Sequence, residues 1–230
     1  IERNVFDWNR HAIASSGQPN TGYHAYHNLV LEHGGYHRWW GWPFGWDRTH
    51  QFDMHGTDSC GIGDVFSDAV YNCGWGGHSL EVKNNAFLYT EAPAFKLRGT
   101  PFVSNGAKVI ENVFKHSNID DAVQQTQSGL VKQDNLTGVD GMNELGTCDF
   151  DGDGVDDKFL ATGQNWWFSS GGTGAWNFLR GSLKRRAQVA LGYFDSRAGC
   201  DVSVDGTVYS GGKDPITLWM PMISTSTLAP

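Results

Sequence analysis

VIENVFKH, residues 109–116, is the stretch on which the fold turns, because its Asn-apolar-apolar core recurs upstream as IERNVFDW (1–8), AYHNLVLE (25–32) and VKNNAFLY (82–89). Asn4, Asn28, Asn85 and Asn112 fall in register, at steps of 24, 57 and 27 residues. Each copy is followed, after a gap, by a second strand-like piece: HAIASSG (11–17), QFDMHGT (51–57), AFKLRGT (94–100) and DAVQQTQ (121–127). A unit of two short strands and a turn, repeating about every 25 residues, is what a stacked solenoid coil requires. The doubled middle step leaves an insertion of about 30 residues, for which 31–50 and 58–79 are the candidates. Asn suits the bend between strands because its amide can bond to the identical amide one rung away, at about 0.5–1.5 kcal/mol net per bond. Phe6, Phe87 and Phe114, with Val30 in the same slot, are expected to stack inside.

Composition agrees with a β protein. The chain has 230 residues, 39% hydrophobic and 13% aromatic, enough for a packed core. Thirty Gly and ten Trp, without Leu/Ala/Glu-rich periodic runs, favour strands and turns over helices. A net charge of −8 argues against a nucleic-acid partner, which needs a basic surface. No segment approaches the roughly 20 apolar residues of a membrane span. The four cysteines sit as two neighbourhoods, Cys60 with Cys73 and Cys148 with Cys200, with no CxxC spacing. They read as two structural disulfides, and hence as a secreted chain. It starts with Ile1 and shows no signal peptide, which reads as a mature or truncated product.

The second half opens on CDFDGDGVDDKF (148–159). Asp149, Asp151, Asp153 and Asp157 occupy positions 1, 3, 5 and 9 of a D-x-D-x-D-G-x-x-D loop, with the Val155 carbonyl between, and hard oxygens at that spacing suit Ca2+. An EF-hand would carry Glu at position 12; Leu160 stands there. Residues 145–172 and 191–212 form a looser duplication, LGTCDFDGDGVDDKFLATGQNWWFSSGG against LGYFDSRAGCDVSVDGTVYSGG. The second copy has Asp195, Ser196 and Arg197 where acids should alternate, so the first loop alone is expected to bind calcium, as a structural ion.

With its Asn ladder, residues 1–127 resemble the right-handed parallel β-helix proteins of the pectate-lyase-like class. The N-T-D, G-H-G and R-I-K motifs of that class's polygalacturonases are absent. The duplicated loop is similar to the FG-GAP/VCBS repeats of β-propeller blades. Two blades cannot close a propeller of about four to eight, so these units are expected to dock on the coils as a small β-domain. The resemblance implies an all-β chain with a short β-helix at 1–128, a linker at 129–144 and an FG-GAP-like calcium-binding domain at 145–230. It also implies further rungs, or another chain, against the N-terminal edge.

If Ile13, Met54 and Leu97 point inward, alternation sends Ala12, Asp53 and Lys96 outward in one column and Ala14, His55 and Arg98 in the next. His11 lies nearby. Lyases of the β-helix type abstract the proton alpha to a uronate carboxylate, which assigns Lys96 or His55 as base and Arg98 as carboxylate clamp. A glycoside hydrolase would need two carboxylates about 5–9.5 Å apart, for which Asp53 with Asp58 or Glu81 is the available pairing. An exposed Asp53–Lys96 cross-rung ion pair is the structural alternative. The insertion YHRWWGWPFGWDRTH (36–50) offers Trp39, Trp40, Trp42 and Trp46 as sugar-stacking faces, or as a minor core beneath a long loop. Trp166 and Trp167 read as packing. A zinc site from His24, His27, His33 and His37 is a further alternative, and Asn135-Leu136-Thr137 is a glycosylation sequon in a eukaryotic chain. The expectation is thus a secreted carbohydrate-active protein, a polysaccharide lyase on an extracellular acidic glycan. The competing expectation is a non-catalytic glycan- or protein-binding, adhesin-like module.

Overall fold

The computed structural model describes residues 1–38, 46–58, 71–102, 106–139, 145–172, 175–195, 197–211 and 214–216. Three four-stranded parallel sheets build the first half. The first contains β1 (Val5–Phe6), β4 (Leu29–Val30), β9 (Ala86–Phe87) and β12 (Val113–Phe114). The second contains β2 (Ile13–Ser15), β7 (Phe52–Met54), β10 (Phe95–Leu97) and β13 (Val123–Gln125). The third contains β3 (Gly22–Tyr26), β8 (Ser79–Lys83), β11 (Ala107–Ile110) and β14 (Leu130–Gln133). The chain visits the sheets in rotation, so each circuit has three strands rather than the two read from the sequence. The missed strand is the one that runs into each Asn. β14 also corrects the reading of 129–144 as a linker, because it pairs with β11 throughout, from Ala107↔Leu130 to Ile110↔Gln133.

Each ladder Asn sits at the corner between the third and first sheets. Asn4 Nδ2 donates to Asn28 Oδ1 (3.1 Å), Asn28 to Asn85 (2.8 Å), and Asn85 to Asn112 (3.0 Å). Asn112 donates in turn to a fifth member, Asn135 (3.1 Å). The backbone N–H of each donor bonds the same oxygen, so one carbonyl satisfies two donors. Asn135 escaped the motif because Thr137 replaces the second apolar residue, and its amide donates to Val109 O rather than standing clear as a glycan acceptor.

Inside the corner, register places Phe6, Val30, Phe87 and Phe114 in one column. Phe87 and Phe114 stack at 5.1 Å, and Phe52 meets Phe87 edge-on at 4.9 Å. Phe52, Phe87 and Phe114 are fully buried, each contributing about 1.5–3 kcal/mol.

The second half contains two antiparallel four-stranded meanders. One contains β15 (Leu145–Cys148), β16 (Asp157–Ala161), β17 (Asn165–Ser169) and β18 (Trp176–Gly181). The other contains β19 (Ala190–Gly192), β20 (Asp201–Val204), β21 (Thr207–Ser210) and β22 (Asp214–Ile216). A Cys148–Cys200 disulfide joins them. Cys73 is also disulfide-bonded, while Cys60 lies outside the described residues. Alternation along β17 sends Trp166 and Trp167 to opposite faces: Trp166 into the core shared by the meanders, Trp167 against Leu29, Ala86 and Leu88 of the first half. The two halves are further joined where His27 Nδ1 donates to Asn165 Oδ1 (2.8 Å) and Asn165 Nδ2 to Asn84 O (2.7 Å). Among the described residues no helix is long and apolar enough to cross a membrane.

Candidate functional site

The second sheet carries the charged cluster, with a register different from the expected one. Ile13 pairs with Phe52, not Met54, so the outward column is Ala14, Asp53, Lys96, Gln124. Ala12 and Ala14 therefore do not take the columns assigned to them. The slip arises because Phe52 and Met54 are both buried, so either could have been matched to Ile13 by hydrophobicity alone.

Asp53 is fully buried rather than exposed on a solvated face. Its Oδ2 lies 2.6 Å from His55 Nε2 and its Oδ1 3.2 Å from Arg98 Nε, close contacts without hydrogen-bond geometry. His50 Nε2 stands between the two partners, 3.1 Å from Asp53 Oδ2 and 2.9 Å from Arg98 Nη2. Its proton serves the carboxylate or its lone pair serves the guanidinium, one at a time. Burial alone would raise the Asp53 pKa. The close His50 and His55 imidazoles and the Arg98 charge outweigh it and hold the carboxyl well below the ordinary range.

Arg98, assigned from sequence to clamp a substrate carboxylate, is 4% exposed and committed to Asp53 and His50. The His11 ring lies tilted at 37° to His50, centroids 4.5 Å apart, with its Nδ1 3.0 Å from His50 O. Burial pushes the His11 imidazole down to about 4. His11, His50 and Asp53 bring ligand atoms within 4.8 Å of one another. The guanidinium at 2.9 Å already supplies a positive charge there, which opposes a metal cation.

His55 is the accessible member, its side chain 33% exposed. The 2.6 Å approach of Nε2 to Asp53 sets that nitrogen toward the carboxylate and Nδ1 away from it. Tyr71 stacks on the His55 ring at 5.8 Å and 16°, and Trp75 stacks on Phe102 at 4.3 Å and 20°. Both Tyr71 and Trp75 are 48% exposed. They belong to one segment that crosses the corner beyond β7, where a Cβ at Gly17 would collide with the Trp75 and His55 carbonyls. Tyr71, Trp75 and Phe102 escaped sequence reading because they are scattered, unlike the dense Trp cluster. Of that cluster, Trp39, Trp40 and Trp42 lie outside the described residues, and Trp46 is described only by its place in the hairpin of β5 (Tyr36–Arg38) and β6 (Trp46–Arg48).

Of the residues for a hydrolase pairing, Asp58 Oδ2 accepts from Thr57 Oγ1 at 3.4 Å, in the segment that follows β7. Glu81 stands on the third sheet and accepts from Tyr26 Oη at 3.3 Å, and Asp53 is enclosed by its own partners. The four histidines do not converge. His24 meets Ser79, His27 meets Asn165, His33 meets Asp7 and His37 meets Asp47.

In the aspartate loop, Asp149, Asp151 and Asp153 offer oxygens within 4.8 Å of one another, a donor set that suits a hard cation. Asp149 is anchored by N–H donors from Gly152 (2.7 Å) and Gly154 (2.9 Å). Gly154 has φ of +89°, a conformation that favours glycine. Val155 N donates to Asp153 Oδ1 at 2.8 Å. Asp157 is buried and braces the loop, accepting from Phe150 N (2.8 Å), Asp151 N (3.3 Å) and Gly171 N (2.8 Å).

The second meander repeats this brace. Asp201 accepts from Phe194 N (2.8 Å), Asp195 N (3.0 Å) and Gly211 N (3.2 Å). The equivalence Asp157–Asp201 places Gly192 opposite Cys148, each pairing with its Asp, so the Leu-Gly match made from sequence is two residues out of register. It also puts Arg197 at the position of Asp153, with its Nε 3.8 Å from Asp195 Oδ2. No protein-family model, curated protein or solved structure matches the chain.

Proposed function

We propose that the chain is a secreted, calcium-stabilised, carbohydrate-active protein that cleaves an extracellular acidic polysaccharide by β-elimination. The first half is read as a short right-handed parallel β-helix, and the meanders as FG-GAP-like units docked upon it. The one-strand-per-sheet rotation, the parallel registers and the five-membered Asn ladder support the former. The repeated Asp157 and Asp201 braces support the latter.

The observation that carries the activity is the 2.6 Å Asp53–His55 contact at the rim of the coil face. In this reading the Nε2 proton sits toward Asp53 and His55 Nδ1 is the general base. Lys96, beside Asp53 in register, neutralises the uronate carboxylate. The C–H bond alpha to that carboxylate breaks toward His55 and its electrons form the ring double bond. The glycosidic C–O bond breaks on the adjacent carbon, with the leaving oxygen protonated from water. Calcium, bound by Asp149, Asp151 and Asp153, would supply structural charge neutralisation in the second half.

The test is ultraviolet absorbance of the unsaturated product across a panel of uronate polysaccharides. Turnover that disappears in His55→Ala is the expected result; no absorbance change with any polysaccharide would sink the reading. The second reading, a non-catalytic glycan-binding module, is favoured by the exposed faces of Tyr71 and Trp75. It predicts retention on a glycan gel with no turnover.

A further inference from the structure

A cleft of about 240 Å³ lies between the first half and the first meander, away from the second sheet that carries Asp53. Leu31 and Leu88 line it from the first half, Leu160 and Trp176 from the meander. Asp7, Glu32, His33 and Lys158 supply its polar lining. The two carboxylates differ in their partners. Glu32 is paired with Lys115 at 2.5 Å. Asp7 Oδ1 is buried without a hydrogen-bond partner, although the Trp8 and His33 backbone N–H groups act on the carboxyl as a whole, and His33 Nδ1 is 3.9 Å from Oδ2, beyond hydrogen-bond reach. A buried acceptor of this kind is completed by a donor from outside. Outside the lining, Trp8 stacks on His33 at 4.6 Å and 8°.

The volume falls below the roughly 300–1,000 Å³ of pockets for drug-sized ligands, so the occupant is about one ring in size. Leucines and an indole match an apolar ring face, and Asp7 Oδ1 needs a hydroxyl or amine donor. Lys115 neutralises Glu32 and Lys158 offsets Asp7, so the lining has no excess positive charge to recruit an anion such as a uronate. We infer that the cleft is a second carbohydrate site, binding one neutral sugar residue with its apolar face on Trp176 and the leucines and a hydroxyl donated to Asp7. Burial raises the Asp7 pKa above the ordinary carboxylate range, His33 opposing and Glu32 adding to the shift. Binding should therefore weaken on acidification, as the acceptor gains a proton.

The experiment is saturation-transfer NMR on the full chain with the methyl glycosides of glucose, galactose, mannose and xylose as probes. The wild type, Leu31→Trp, Asp7→Leu and His55→Ala are compared, with near-ultraviolet circular dichroism reporting the fold. Leu31→Trp fills the cleft. Asp7→Leu removes the acceptor at similar size and covers the case in which the filled variant fails to fold. The expected result is transfer to at least one glycoside in the wild type and His55→Ala, weakened at least about tenfold in the folded cleft variants. No transfer to any of the four glycosides, or undiminished transfer in folded Asp7→Leu, would overturn the proposal. Polysaccharide turnover is read separately through His55→Ala, so failure of the lyase reading leaves this result standing, and the reverse.

Discussion

Asp53 Oδ2 lies 2.6 Å from His55 Nε2, and the two residues differ sharply in exposure: the carboxylate is fully buried while the imidazole reaches solvent. A buried anion of this kind is held by its partners. Removing Arg98 should therefore be a stability change. Arg98→Ala leaves Asp53 short of a charge partner and should cost about 3–5 kcal/mol in urea unfolding. His55→Ala also removes a close partner of Asp53 and should lower stability, so its proposed loss of turnover is read at a temperature where circular dichroism shows the variant folded. An Arg98→Ala protein as stable as wild type would contradict the first expectation.

The ladder predicts a gradient along the stack. Asn85 is buried, accepts two bonds from Asn28 and donates two of its own to Asn112, whereas Asn4 is at the exposed end. Asn85→Ala leaves buried donors unsatisfied and should cost about 1–3 kcal/mol or more. Asn4→Ala should cost about 1 kcal/mol or less. Denaturant midpoints of the two variants check the order.

Asp151 and Asp157 should separate under chelation. Asp157 braces the backbone through three N–H bonds, so Asp157→Ala should lower the melting temperature with or without calcium. Asp151→Ala should lower it only in calcium, because Asp151 is exposed and its role is proposed to be as ligand. Differential scanning calorimetry with calcium and with chelator gives all four values. In the second loop Tyr193 stands at the position of Asp149 and Arg197 at that of Asp153, so only Tyr193→Asp combined with Arg197→Asp should add a second calcium-dependent increment.

The histidines set a pH window. Burial lowers the His11 pKa to about 4 and lowers that of His116, so both bind protons more weakly folded than unfolded. Stability should be full above the unfolded histidine value of about 6.5 and fall as pH drops from there toward about 4. Asp53, shifted down by its partners, adds a further loss at lower pH, below the unfolded aspartate value of about 3.9. Thermal melts from pH 8 to 3 should show the first decline, reduced in His11→Gln; an unchanged pH profile for that variant would contradict it.

Sequence by itself determined the elements whose information is local or repeated. Asn4, Asn28, Asn85 and Asn112 could be aligned because each corner imposes the same hydrogen-bond demand, and the aspartate loop could be read because its acids alternate within nine residues. Tertiary structure alone decided what depends on which strand lies beside which. Ile13 could be matched to Met54 or Phe52 by hydrophobicity, and only pairing with Phe52 puts Ala14, Asp53 and Lys96 in one column. Burial of Asp53 and Arg98 was equally hidden, since alternation says which side of a strand a residue faces but not what covers that side. His50 meets Arg98 across 48 residues, and the Asp7 cleft joins residues from both halves of the chain. Such contacts follow from packing of surfaces, which no periodicity along one strand records.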